Sequence, residues 1–228
     1  MEKLRRLSRH GSATECRAIS DGLLTDEELR KFNHHVRRNR GELLFARCWL
    51  LVEGETDVSV FAECAELLKI DLHRHGIRIL EVSQAGGPGI FIKVADALGI
   101  GWHLVADGDD GGKKYTDTAK VLLNDRQEAN HISVLPHLNI DVLLCCSGYG
   151  QPYFDGVGSQ KVSGLTAKVN TPEYWRQVYE IINKARGFSK PAAALESIML
   201  MKGKGEQGVP GAVKDILDKC RALVAIDQ

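Results

Sequence analysis

Short apolar runs alternate along this chain with longer stretches whose apolar residues recur at helical spacing. RCWLLV (47–52) is a compact apolar run of strand length. From Asp57 onward Val58, Phe61, Ala62, Ala65 and Leu68 return every three or four residues, which predicts a helix. The pattern then repeats. IRILEV (77–82) predicts a second strand and residues 90–98 a second helix. HLVAD (103–107) predicts a third strand, with a polar loop and a helix near 116–124 behind it, and HISVLP (131–136) a fourth. The strands are apolar throughout and do not alternate, so both of their faces are expected to be covered. Strand–helix alternation of this kind predicts an α/β fold with a parallel sheet of about four strands.

The flanks read differently. Thr25-Asp26-Glu27-Glu28 is a capping box that predicts a helix to about Arg40. Beyond residue 145 the run CSGYGQPYFDGVGSQKVSG is glycine-rich and reads as loop. Thr171-Pro172 predicts a helix start, with Thr as the cap and Pro in the first turn, running to about Arg186. Ser189 predicts the cap of another helix over 190–201. KGKGEQG reads as flexible, and VPGAVKDILDKCRALV as a last helix. The expected organisation is a helical, basic segment at 1–45, an α/β domain at 46–150, and a helical subdomain at 151–228 that completes the site.

Charge changes this picture only locally. Thirty Lys and Arg balance thirty Asp and Glu, so no global field marks an anion binder. Six of the arginines (Arg5, Arg6, Arg9, Arg37, Arg38 and Arg40) lie N-terminally, and Arg37, Arg38 and Arg40 are candidate phosphate contacts. A solvated helix face is the equally good alternative. The six cysteines form no CxxC pair and read as small core residues, not as a zinc site or disulfide framework. No apolar run is long enough to span a membrane. MEKLRRLSRHG has no signal-peptide core, so a cytoplasmic location is expected.

The candidate chemistry is in the acids. Glu53 follows the first strand directly, with Asp57 four residues on, and Asp107, Asp109 and Asp110 follow the third strand. Ligands of parallel α/β sheets sit at the carboxyl ends of the strands, which is where these acids fall. Carboxylates a few ångströms apart repel, and a hard divalent cation relieves that repulsion. Two such ions about 4 Å apart suit phosphodiester hydrolysis. Gly86 and Gly87 in QAGGPG are candidates for backbone contact with phosphate, or form a plain turn.

Glu53 after the first strand and Asp107-x-Asp109 after the third resemble the Toprim domain of topoisomerases, primases and related nucleases. LLVEGETD together with GIGWHLVADGDDGGKKY is similar to the C-terminal catalytic region of the OLD (overcoming lysogenisation defect) nucleases, class 2-like. The resemblance is good over about 40–145 and loose beyond it. It implies a DNA nuclease using two Mg²⁺ or Mn²⁺ ions, with Ca²⁺ binding without supporting cleavage. It assigns Glu53, Asp57, Asp107, Asp109 and Asp141 as metal ligands, Asp57 standing where glutamate is common and Asp141 where glutamate is expected. Glu53 is also a candidate general base, Asn139 and Asp110 are accessory candidates, and Asp141 has a second reading as a first-turn helix acid. A lysine beyond the Toprim core is expected to reach the metals and assist; Lys190 is the first candidate, with Lys202 and Lys204 behind it. The resemblance also implies an N-terminal ATPase domain, yet no G-x-x-x-x-G-K-[ST] occurs here, so an excised C-terminal region is expected. Other Toprim phosphotransfer activities (RNA processing, primer synthesis) are the alternative. A phosphoacceptor receiver module is disfavoured by the order of the acids.

Overall fold

The computed structural model describes residues 4–38, 41–185 and 187–225. Its centre is a four-stranded, all-parallel sheet of β3 (Cys48–Val52), β4 (Ile77–Glu81), β5 (Gly101–Ala106) and β6 (Ile132–Val134), in the order β4-β3-β5-β6. This is the expected α/β sheet, and the strand alternation shows why the sequence reads as continuously apolar. Cys48, Leu50 and Val52 point into one core, with α2 (Glu55–Leu67) and the last helix α12 (Gly211–Ala225) packed on it. Trp49 and Leu51 point into a second core on the other face, beneath α1 (Asp26–Arg38), α4 (Gly89–Leu98) and α5 (Asp110–Val121). Burying both faces removes the polar alternation that a one-sided sheet shows.

Short connections α3 (Leu72–His75) and α6 (Glu128–His131) lead into the edge strands β4 and β6. A third core joins α7 (Ile140–Leu144), α8 (Gln151–Val157), α9 (Ser159–Val162), α10 (Pro172–Lys184) and α11 (Lys190–Lys202) around Tyr153, Tyr174 and Trp175. This helical layer is joined to the carboxyl end of the sheet through α7, which follows β6, and it packs on α2 through α11.

Three expectations are corrected. The N-terminal stretch opens with an antiparallel hairpin, β1 (Arg5–His10) and β2 (Ala13–Ala18), in place of helix. Its turn has only two residues, and Gly11 takes the left-handed φ of 60° that such turns require. Arg6 fixes the hairpin by donating to Leu98 O and Gly99 O, both at 2.8 Å, and to Ala46 O at 3.0 Å. Those carbonyls lie just before β5 and β3, so the hairpin sits at the end of the sheet opposite the acids. Second, the glycine-rich run after residue 145 folds into a π-helical turn (Cys145–Tyr149) followed by α8 and α9. Tyr149, Tyr153 and Val157 are buried there, and their burial overrides the poor helix propensity of the glycines. Third, α5 starts at Asp110, six residues earlier than its apolar spacing suggests, because Asp109 caps it by accepting from Gly112 N at 2.8 Å.

Candidate metal centre

Four acids are delivered by four different elements. Glu53 leaves the end of β3 and Asp107 the end of β5. Asp57 lies in the first turn of α2, where its Oδ2 accepts from Gly54 N at 2.9 Å in a capping geometry. Asp141 lies in the first turn of α7, and its Oδ1 accepts from the Tyr153 hydroxyl at 2.6 Å. Asp57 and Asp141 are buried, at 6% and 5% exposure. A fifth acid, Asp109, caps α5 beside them. A Cβ at Gly111 would lie 3.1 Å from Asp109 Oδ1 and 3.5 Å from Glu53 Oε1, so these two carboxylates flank the same turn.

Backbone packing forces the loop after β5 into this shape. A Cβ at Gly112 would stand 2.7 Å from both the carbonyl carbon and the nitrogen of Asp107 and would strike its carbonyl oxygen. Gly108 donates to Leu138 O at 3.0 Å, and a Cβ there would meet the backbone of His137. Only glycine allows the DGDDGG loop to lie this close to the start of α5 and to the segment before α7.

The electrostatics follow from burial and like charge. Burial pushes the Asp107 carboxyl up to about 8, helped by the charges of Asp57, Glu53, Asp109 and Asp141. Burial raises Asp57 to about 7; Gly54 N–H opposes this, while Asp141 and Glu53 add to it. Glu53 is raised by burial and then by Asp109. Asp141 is raised by burial against the hydroxyl of Tyr153 and the charge of Lys190. Glu53 Oε2 is buried with no hydrogen-bond partner. An orphaned carboxylate oxygen among mutually repelling acids fits a hard divalent cation, which takes oxygen ligands and removes the repulsion. Among the described residues no three His, Cys, Asp or Glu side chains close into a ready ligand set. Asp57, Asp109 and Asp141 instead turn to Gly54 N–H, Gly112 N–H and the Tyr153 hydroxyl.

The remaining candidates are placed as follows. Asn139 caps α7, accepting from Val142 N at 3.0 Å. Asp110 is the exposed first residue of α5. The N–H groups of Gly86 and Gly87 donate to Ser83 O (2.9 Å) and Val82 O (3.0 Å), so the turn keeps them for itself and does not offer them to phosphate. Lys190 opens α11, and its Nζ donates to Asn183 Oδ1 at 2.9 Å and to the Tyr179 hydroxyl at 3.1 Å, over the Tyr179 ring. Its charge acts on Asp141; the amine is turned toward α10 and not over Glu53 and Asp107. Lys202 pairs with Glu63 at 2.6 Å and Lys204 lies over the Tyr149 ring, which commits both elsewhere. Arg37 is exposed near the end of α1, Arg40 lies outside the described residues, and so does the side chain of Arg38. Tyr153, Tyr179 and Asn183 carry no signal in the sequence; only tertiary packing brings them to the acids and the lysine.

Residues 44–109 match the family described as overcoming lysogenization defect protein-like, TOPRIM domain. The chain carries an OLD-like Toprim domain. That match contains Glu53, Asp57, Asp107 and Asp109, and ends before Asp141 and Lys190. The Escherichia coli K12 protein YbjD, itself described as uncharacterized, is 33% identical over 222 residues. The alignment takes in 96% of this chain but 38% of that relative, so the chain spans well under half the relative's length. Among solved structures, the C-terminal region of the Xanthomonas campestris pv. campestris OLD protein matches at TM-score 0.59 and 17% identity, over 82% of this chain and 97% of that one. The C-terminal region of the Burkholderia pseudomallei OLD protein matches at TM-score 0.55 and 19% identity, over 79% and 99%. At such identities the likeness is one of fold. It extends past the Toprim domain into the helical layer that carries Asp141 and Lys190.

Proposed function

We propose that this chain is a divalent-metal-dependent DNA nuclease that hydrolyses phosphodiester bonds. The observation that carries the reading is the unpartnered, buried Oε2 of Glu53 beside Asp107, in a ring of acids supplied by β3, β5, α2 and α7. Glu53, Asp57, Asp107, Asp109 and Asp141 are the oxygen donors for Mg²⁺ or Mn²⁺. When bound, such ions supply positive charge to the phosphate oxygens and a more acidic water.

The chain's own residues do the rest. Asp107 and Asp109 are stiffened by the glycine contacts around them, which fixes where a phosphate is held. Glu53, if freed from a ligand role, accepts the proton of the attacking water. Tyr153 orients Asp141 through its hydroxyl. Lys190 lies on the Asp141 side of the site, where its charge acts on that carboxylate; offsetting charge on the phosphate oxygens requires its amine to leave Asn183 and Tyr179 and swing toward the acids. We further propose that the chain acts in the cytoplasm, as the nuclease part of a longer protein with an ATPase region. Its 38% share of the relative's length and its likeness to C-terminal regions of OLD proteins support this. No described helix is long and apolar enough to cross a membrane.

The test is supercoiled plasmid incubated with Mg²⁺ or Mn²⁺ and with EDTA. Metal-dependent nicking that Asp107→Ala abolishes is the expected result. Cutting by Asp107→Ala at the wild-type rate removes the metal assignment. Cleavage of RNA but not DNA supports a different Toprim phosphotransfer activity.

A further inference from the structure

A cavity of about 580 Å³ opens directly from the acid centre. One wall is α5, whose Lys113, Asp117 and Lys120 stand at spacings of four and three residues and therefore share a helix face. Lys113 and Lys120 are two turns apart, about 10 Å along the axis. The lining is completed by Val134 at the end of β6, Leu138, and Arg176 on α10. Asp107 and Asp109 belong to the same lining, so a ligand filling the cavity reaches the proposed reaction centre.

The cations outnumber the acids once the centre's own carboxylates are set aside. Lys113, Lys120 and Arg176 line the cavity together with Asp110 and Asp117. Lys120 pairs with Glu128 at 3.0 Å and Arg176 with Glu180 at 3.7 Å, but all four side chains are 45–56% exposed. Exposed pairs of this kind are worth little and exchange readily for a phosphate. Val134 is 54% exposed, and it gives the cavity an apolar surface against which a base face can lie.

Size selects the occupant. The volume is that of a small-ligand pocket, which holds a nucleotide or two of one strand and is smaller than a duplex segment. Resting on the nuclease reading above, we infer that this cavity takes an unpaired DNA strand adjacent to the scissile phosphate, with Lys113, Lys120 and Arg176 on its backbone and Val134 against a base. The enzyme thus acts where a strand is unpaired, at frayed ends, flaps or melted segments.

The experiment measures binding of fluorescein-labelled oligo-dT and of a blunt duplex by anisotropy in Ca²⁺ across a salt series. It compares the wild-type chain with the triple variant Lys113→Gln/Lys120→Gln/Arg176→Gln and with Val134→Asp. All four positions are exposed, and melting curves verify folding. Three lost phosphate contacts should lower the salt slope on oligo-dT by about 2, at about 0.7 per contact on single strands. Affinity for oligo-dT should fall at least tenfold in both variants and for duplex less than threefold. An unchanged slope, or equal losses on both ligands, overturns the inference. The binding readout is independent of cutting. A wild-type chain that cuts no plasmid defeats the nuclease reading, whereas one that cuts while the triple variant binds oligo-dT normally defeats only the groove.

Discussion

Gly112→Ala tests whether the loop after β5 is held by backbone contact. The new methyl would stand 2.7 Å from two backbone atoms of Asp107, against ordinary carbon contacts of about 3.5–4.0 Å. The obstacle is main chain, so no rotamer change relieves it. The loop or the start of α5 must move by about 1 Å. Overpacking of this kind costs about 1–3 kcal/mol, or a melting temperature lower by roughly 2–12 °C in a chain of this size. The shift falls on Asp107 and Asp109 themselves, and a displacement of about 1 Å in a positioned group costs roughly 10²-fold in rate. The assays are thermal melting by circular dichroism and plasmid nicking per folded molecule. Gly164→Ala is the control, because a Cβ there meets nothing within 4 Å. Wild-type melting in Gly112→Ala would refute the contact. A lowered melting temperature with wild-type cutting per folded molecule would refute the idea that this contact positions the acids.

Tyr153→Phe removes the hydroxyl that holds Asp141, and Mn²⁺ affinity by calorimetry should weaken about tenfold with the fold retained; unchanged affinity separates Asp141 from the metal centre. Lys190→Ala should slow cleavage roughly 10²-fold while Mn²⁺ affinity stays near wild type, and full activity removes Lys190 from the site. His103 is fully buried, with Nδ1 against Asn130 O and Nε2 against Ser133 Oγ, and burial pushes it down to about 4. A histidine depressed on folding contributes stability above its unfolded value near 6.5 that is lost as pH falls toward 4. About 2 kcal/mol should therefore disappear between pH 7 and pH 5, and this acid loss should shrink in His103→Gln when unfolding is followed by denaturant titration. An equal loss in both proteins assigns it to other groups.

Local patterns carried much of the fold. Four apolar runs bounded by helical spacing specify a parallel sheet covered on both faces, because burial on each side leaves no polar positions along the strands. The acids after β3 and β5 are legible for the same reason: a carboxylate that ends an apolar strand can only sit at the sheet's carboxyl end. Asp141 came within reach only through resemblance, since an acid in the first turn of a helix has an ordinary local explanation.

Tertiary structure decided what depends on contacts between distant segments. Hairpin β1–β2 is held by Arg6 on carbonyls some forty and ninety residues away, which no local propensity encodes. Burial of Tyr149, Tyr153 and Val157 made helices of a glycine-rich run that reads as loop. Lys190 was found by its position in the chain, but its orientation toward Tyr179 and Asn183 follows from how α10 and α11 pack. The cavity beside the acids is likewise assembled from α5, β6 and α10, three segments whose separate sequences read as ordinary surface. Sequence periodicity fixes which face of an element is buried; which elements share a surface is set by packing between them, and the Lys113–Lys120–Arg176 groove exists only at that level.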